Sequence, residues 1–159
     1  MKKIEVCNDQ DLSKAVKQWM YDSINCYQFS IGILNQEFSR NLMPGDLSGK
    51  EVPVGYKFTD KELVELVLKD LKSIGYKGIF STKEPLAQKE GFVIAVLNCK
   101  DDFHFLRKID GRWYQKFVES QFASYHDRLD NPILDPSKAA YWYHYHLVGY
   151  IKATKAGGG

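Results

Sequence analysis

The feature that most constrains the fold is the run Gly-Phe-Val-Ile-Ala-Val-Leu-Asn at Gly91–Asn98. It is continuously apolar, bounded by turn residues, and too short for a typical helix. That is the pattern of a central strand buried on both faces. Directly after it, Phe103–Ile109 and residues 112–118 flank Asp110-Gly111. Asp-Gly between two strand-like stretches is a strong hairpin signal, because both residues tolerate the positive φ of a type I′ turn. Residues 141–152 alternate in polarity and read as a last strand, and 4–7 as a short first one. The second half of the chain is therefore expected to form an antiparallel sheet.

The first half reads differently. Within 11–22, Leu12, Val16, Trp19 and Met20 fall on one helical face. Ser23 and Asn25 are both good caps for a second helix over 26–37, with Tyr27, Ile31 and Leu34 inward. The same residues also alternate, so a strand is the rival reading there. Residues 41–58 are a loop, marked by Met43-Pro44-Gly45-Asp46 and Ser48-Gly49-Lys50. Thr59 then opens the clearest helix. Glu62 completes a capping box, Leu63, Leu66, Val67, Leu71 and Ile74 form the apolar stripe, and Gly75 ends it. Helices first and an antiparallel sheet afterwards is an α+β layout. With 159 residues the chain is expected to be one domain over 1–154, with 155–159 as a flexible tail ending in Gly157-Gly158-Gly159.

Charge narrows the function. Twenty-two basic and 20 acidic side chains give +2, without the basic stripe that a phosphate backbone requires, so nucleic acid is not an expected partner. No apolar run is long enough for a membrane span, and the start turns polar at Asn8-Asp9-Gln10-Asp11 instead of continuing as a secretion signal. Three cysteines, Cys7, Cys26 and Cys99, do not form a disulfide framework. Free thiols in a reducing cytoplasm are the default expectation, and no cofactor or metal is expected.

Cys26 stands where the second helix would begin. There the helix dipole and the open amides of the first turn favour the thiolate. The same amides can hold an oxyanion on an attacked carbonyl, and a nearby imidazole would accept and return the proton. His104, at the start of a hairpin strand, is the candidate base. Cys99 lies only five residues before it, and Cys7 falls on a probable edge strand.

Asn25-Cys26-Tyr27, Met43-Pro44-Gly45 with Ser48-Gly49, Asp102-Phe103-His104-Phe105, Asp110-Gly111-Arg112-Trp113 and Asp135-Pro136 follow one another in an order that resembles papain-like cysteine peptidases and amidases (NlpC-type) of bacterial and phage origin. The resemblance spans about residues 20 to 150. It implies a papain-like fold with N-terminal helices packed on a C-terminal antiparallel sheet. It implies Cys26 as nucleophile, His104 as base and Asp135 as the residue orienting the imidazole, with Asn131 and Asp130 as alternatives for that third role. Asn25, Tyr27 and Trp113 would lie at oxyanion and substrate positions. The chain departs from the pattern after Trp113: in place of Ser-His-Lys and a Gly it has Tyr114-Gln115-Lys116 and Phe117.

The implied function is a thiol hydrolase acting on an amide carbonyl of a peptide or protein substrate, whether as peptidase, amidase or deamidase. The alternative is a non-catalytic phage or effector module that binds a host protein, in the host cytoplasm, through exposed Tyr and Trp. A zinc site built on His144 and His146 with His104 or His126 lacks local ligand spacing. Gly45, Gly49 and Lys50 do not match a phosphate-binding loop, since Glu51 follows Lys50.

Overall fold

Asn8 caps the first helix, α1 (Asp9–Ala15), by accepting the Asp11 amide on its side chain. The computed structural model, which describes residues 4–21, 23–86 and 91–156, contains two further helices, α2 (Cys26–Ile31) and α3 (Asp60–Ser73). Five strands follow: β1 (Tyr76–Ser81), β2 (Gly91–Asn98), β3 (Phe103–Ile109), β4 (Arg112–Tyr114) and β5 (His146–Lys155). They form one sheet in the order β1-β5-β2-β3-β4, with every neighbouring pair antiparallel. The architecture is α+β, and the apolar run at Gly91–Asn98 occupies the middle strand.

Both faces of the sheet are covered. On one, Phe92, Ile94, Val96, Phe105 and Ile151 pack against Tyr27 and Ile31 of α2 and Leu63, Val67 and Leu71 of α3. On the other, Val93, Ala95, Leu97, Leu106 and Tyr150 meet Trp113 and Ile133, with Tyr141 and Tyr145 against them. The second layer is irregular chain from the segment between β4 and β5. The β3–β4 turn has Asp110 at φ 52 and Gly111 at φ 78, the left-handed pair of a type I′ hairpin. Thr59 and Glu62 close the expected capping box on α3.

Several expectations need correction. The expected helix over 11–22 lies earlier and is shorter, and Asp22 falls outside the described residues; Trp19 is 52% exposed instead of inward. α2 stops after Ile31 because Gly32 turns left-handed at φ 87. A Cβ there would meet Arg107 Nη1 at 2.9 Å and Cys7 O at 3.0 Å. Residues 4–7 form no strand. The β4 strand ends at Tyr114, short of 118. The last strand begins at His146 and runs to Lys155, which pairs with Tyr76, so Lys155 belongs to the sheet and not to a tail. Of the rest of that expected tail, Ala156 donates its amide to the Gly75 carbonyl at 2.8 Å, and residues 157–159 lie outside the described residues. The edge strand β1 had no counterpart in the sequence reading. Among the described residues, no helix is long and apolar enough to cross a membrane.

Candidate active site

A cleft of about 860 Å³ opens between the start of α2, the 40–58 loop, the β2–β3 connection and the chain after β4. Cys26 and His104 both line it. Asn25 caps α2, its Oδ1 accepting the Gln28 amide at 3.0 Å, while its Nδ2 donates to the Leu42 carbonyl at 2.8 Å. This pair of bonds fixes where Cys26 begins the helix and ties it to the loop that walls the cleft. Lys116, fully buried, donates to the carbonyl of Ile24 at 2.8 Å and so holds the approach to the same turn.

The sulfur of Cys26 lies close to the amides of Phe105, Tyr27 and Cys26 itself. Each favours a thiolate, yet burial outweighs them, and the charge of Asp102 adds to it; the thiol is pushed up to about 12. The expectation of a resting thiolate is therefore overturned. With six residues, α2 is too short a dipole to offset the desolvation of its first residue.

His104 is 1% exposed, and its pKa is pushed down to about 4, first by burial. Its tautomer is fixed by its neighbour. The Gln115 amide nitrogen donates to the His126 carbonyl at 3.0 Å, which leaves Gln115 Oε1 to accept from His104 Nε2–H at 2.8 Å. Nδ1 then carries the lone pair. Among the described residues no hydrogen bond to it is found. Phe117 stacks on the ring at 4.9 Å and 7°, and Tyr145 at 5.5 Å and 24°.

Strand alternation sets His104 with Leu106, on the face away from the helices, whereas Cys26 packs on the helical face beside Phe105. β4 pairs only with the far half of β3, from Arg107 on. On that side the near half has no strand partner among the described residues, and Cys26 and His104 both line the cleft beside it. Cys26 and His104 share no direct hydrogen bond. At rest the site holds a neutral thiol and a neutral imidazole, both facing one cleft.

The other expected site residues lie elsewhere. Asp135 Oδ1 accepts from the amide and the hydroxyl of Ser137, at 2.9 and 2.8 Å, and Asp135 does not act on His104. Asn131 and Asp130 sit on an exposed turn closed by Asp127, Asp130 at φ 64. Tyr27 points into the core, where its hydroxyl donates to Asp70 at 2.6 Å. Trp113 is buried on the opposite face against Tyr150, its Nε1 donating to Glu84 at 3.2 Å. Neither ring lines the cleft. Asn25 does line it, but its side chain is engaged in the cap. Gln115 is the residue the sequence reading missed. It stands at the middle place of Tyr114-Gln115-Lys116, where the resemblance expected a histidine, so the departure itself was the available signal. His146 bonds Asp60 at 2.8 Å instead of joining a ligand set, and no group of three metal-binding side chains occurs among the described residues. No protein-family model, curated protein or solved structure matches this chain.

Proposed function

We propose that the chain is a papain-like thiol hydrolase that attacks an amide or ester carbonyl with Cys26. The observation that carries the reading is the state of His104. Its Nε2 proton is held by Gln115, which leaves the lone pair on Nδ1, and His104 and Cys26 line the same cleft. Because both groups rest neutral, His104 acts as a general base. Nδ1 takes the thiol proton as the sulfur bonds to the carbonyl carbon, directly or through one water, and returns it to the leaving nitrogen or oxygen. Gln115 is the positioning residue, holding the tautomer as a carboxylate does in a Ser-His-Asp triad. The Cys26 amide is the expected donor for the oxyanion.

The test is turnover of p-nitrophenyl acetate. Thioester formation on Cys26 releases p-nitrophenolate, and water then releases acetate. The wild type is expected to carry the acetyl group on Cys26 by mass mapping. Cys26→Ala should lose it, and His104→Ala should be slower by about a hundredfold or more. Equal turnover by Cys26→Ala and wild type overturns the reading.

A second reading, a module that binds another protein, has one observation in its favour: Trp142 and Tyr143 stand 69% and 55% exposed at the cleft rim. Such rings are common anchors in interfaces. A protein that never acylates, yet loses a partner on Trp142→Ala, would be of that kind.

A further inference from the structure

The walls of the cleft say what kind of group belongs beside the reacting carbonyl; this deepens the hydrolase reading and rests on it. We infer that the cleft takes substrates carrying an aromatic ring next to the carbonyl attacked at Cys26.

Charge does not choose the ligand. Arg40, Lys57 and Lys116 line the cleft, and so do Asp101, Asp102 and Glu119, so the formal charges of the lining cancel. Most are also engaged. Arg40 donates to Asp46 at 2.7 Å, and Lys116 donates to the carbonyls of Ile24 and Phe117. Lys57 stands 3.6 Å from Asp101, and Asp102 accepts the Tyr145 hydroxyl at 2.8 Å. The Trp142 ring already has the Arg128 guanidinium 5.8 Å from its centre.

What the lining holds in excess is rings, and they run in two chains. Tyr56 meets Phe58 edge-on at 4.9 Å and 73°, and Phe58 meets Phe103 of β3 at 5.6 Å and 77°. Tyr143 meets Tyr145 at 5.9 Å and 74°, Tyr145 stacks on His104 at 5.5 Å, and Phe117 stacks on His104 at 4.9 Å. Phe58 and Phe103 pack with the helical face of the sheet and Tyr145 with the other, so ring systems from both faces border the cleft. The second chain leads from the rim to the imidazole itself.

The outer members stand in solvent. Val54, Tyr56, Trp142 and Tyr143 are each more than a third exposed, and all four line this cleft. Single exposed apolar side chains are ordinary, but a group of them on one concave surface marks a binding site. A cleft of about 860 Å³ takes a small organic group. Rings fit these walls better than alkyl groups of equal size, because edge-on and offset contacts between rings add to the burial of area. An entering ring continues the packing that both chains already use.

Three N-acetylcysteamine thioesters test this on the intact chain: acetyl, cyclohexylacetyl and phenylacetyl. The Cys26 sulfur bonds to the acyl carbon, the bond from that carbon to the old sulfur breaks, and N-acetylcysteamine leaves as the thiol with the proton. Rates at Cys26 are read by mass mapping and normalised to N-acetylcysteinamide, with Cys7 outside the cleft as internal reference. Phenylacetyl transfer is expected to exceed acetyl by about tenfold or more and cyclohexylacetyl by about threefold. Replacing Tyr56, Trp142 and Tyr143 together by Leu keeps apolar area and removes the exposed rings. That variant should acylate at equal rates with phenylacetyl and cyclohexylacetyl. Equal rates in the wild type overturn the inference and leave the hydrolase reading standing, as does a phenylacetyl preference that the triple variant retains in full. If Cys7 is acylated and Cys26 takes none of the three groups, both fall together.

Discussion

Two buried polar clusters, one around Asp70 and one around His104, are built to opposite ends. Around Asp70, every valence is closed. One carboxylate oxygen accepts the Tyr27 hydroxyl at 2.6 Å and the Gly45 amide at 2.8 Å; the other accepts the Ser48 amide at 2.9 Å and the Ser48 hydroxyl at 2.7 Å. Around His104 one ring nitrogen is bonded and the other is left open. A satisfied buried network fixes geometry, and an unsatisfied one stores reactivity. The difference separates the post that holds the 43–48 loop and α2 together from the group that can move a proton.

The sharpest way to break this contrast is Asp70→Ala. It strands the Gly45 and Ser48 amides and the Tyr27 hydroxyl in the core, and should cost about 4 kcal/mol in urea unfolding. A loss below about 1 kcal/mol would mean that the loop is held by something else.

The next largest effect is one of pH. His104 titrates near 6.5 unfolded and near 4 folded, so the unfolded chain binds the extra proton between those values. Stability is then full above pH 6.5, falls as pH drops toward 4, and loses about 3 kcal/mol in all. Cys26, raised from 9 to about 12, acts at the other end: stability is full below pH 9 and falls as pH climbs toward 12. A plateau from 6.5 to 9 is expected in unfolding midpoints, and His104→Gln should flatten its acid side. The same depressed value places the acid limb of p-nitrophenyl acetate turnover near pH 4; a limb at 6.5 would show that His104 is not the base.

Gln115→Leu distinguishes positioning from packing. It should cost about 1 kcal/mol of stability but slow acylation of Cys26 about a hundredfold, and Gln115→Glu should restore part of the rate. Matched losses would make Gln115 merely structural. Smallest is Tyr27→Phe, about 1 kcal/mol in unfolding with the acylation rate unchanged, since its hydroxyl serves the Asp70 post and not the cleft.

How much of this could be read from the chain follows from how local each signal is. The capping box at Thr59–Glu62, the Gly91–Asn98 run and the Asp110-Gly111 turn are decided by neighbours a few residues apart, and the structure has them where the sequence puts them. β1 escaped because it is an edge strand with only partial burial, defined by its pairing with β5 about seventy positions later. The cap at Asn25 was legible, and so was the start of α2 at Cys26. The acidity of Cys26 was not: position along a helix is written in the sequence, whereas burial depends on what packs over it. Asp135 looked suitable in the Asp-Pro turn, yet that turn uses its carboxylate on Ser137. Gln115 acquires its role only from the hairpin that curls it back beneath His104.

Gly32 ends α2 after six residues, and that early stop has an effect beyond geometry. A sulfur held in the protonated form is a slow target for peroxide, glutathione disulfide and stray electrophiles, all of which attack or are attacked through the anion. The short helix leaves the buried Cys26 thiol in its protonated form, so the fold itself slows oxidation of that sulfur.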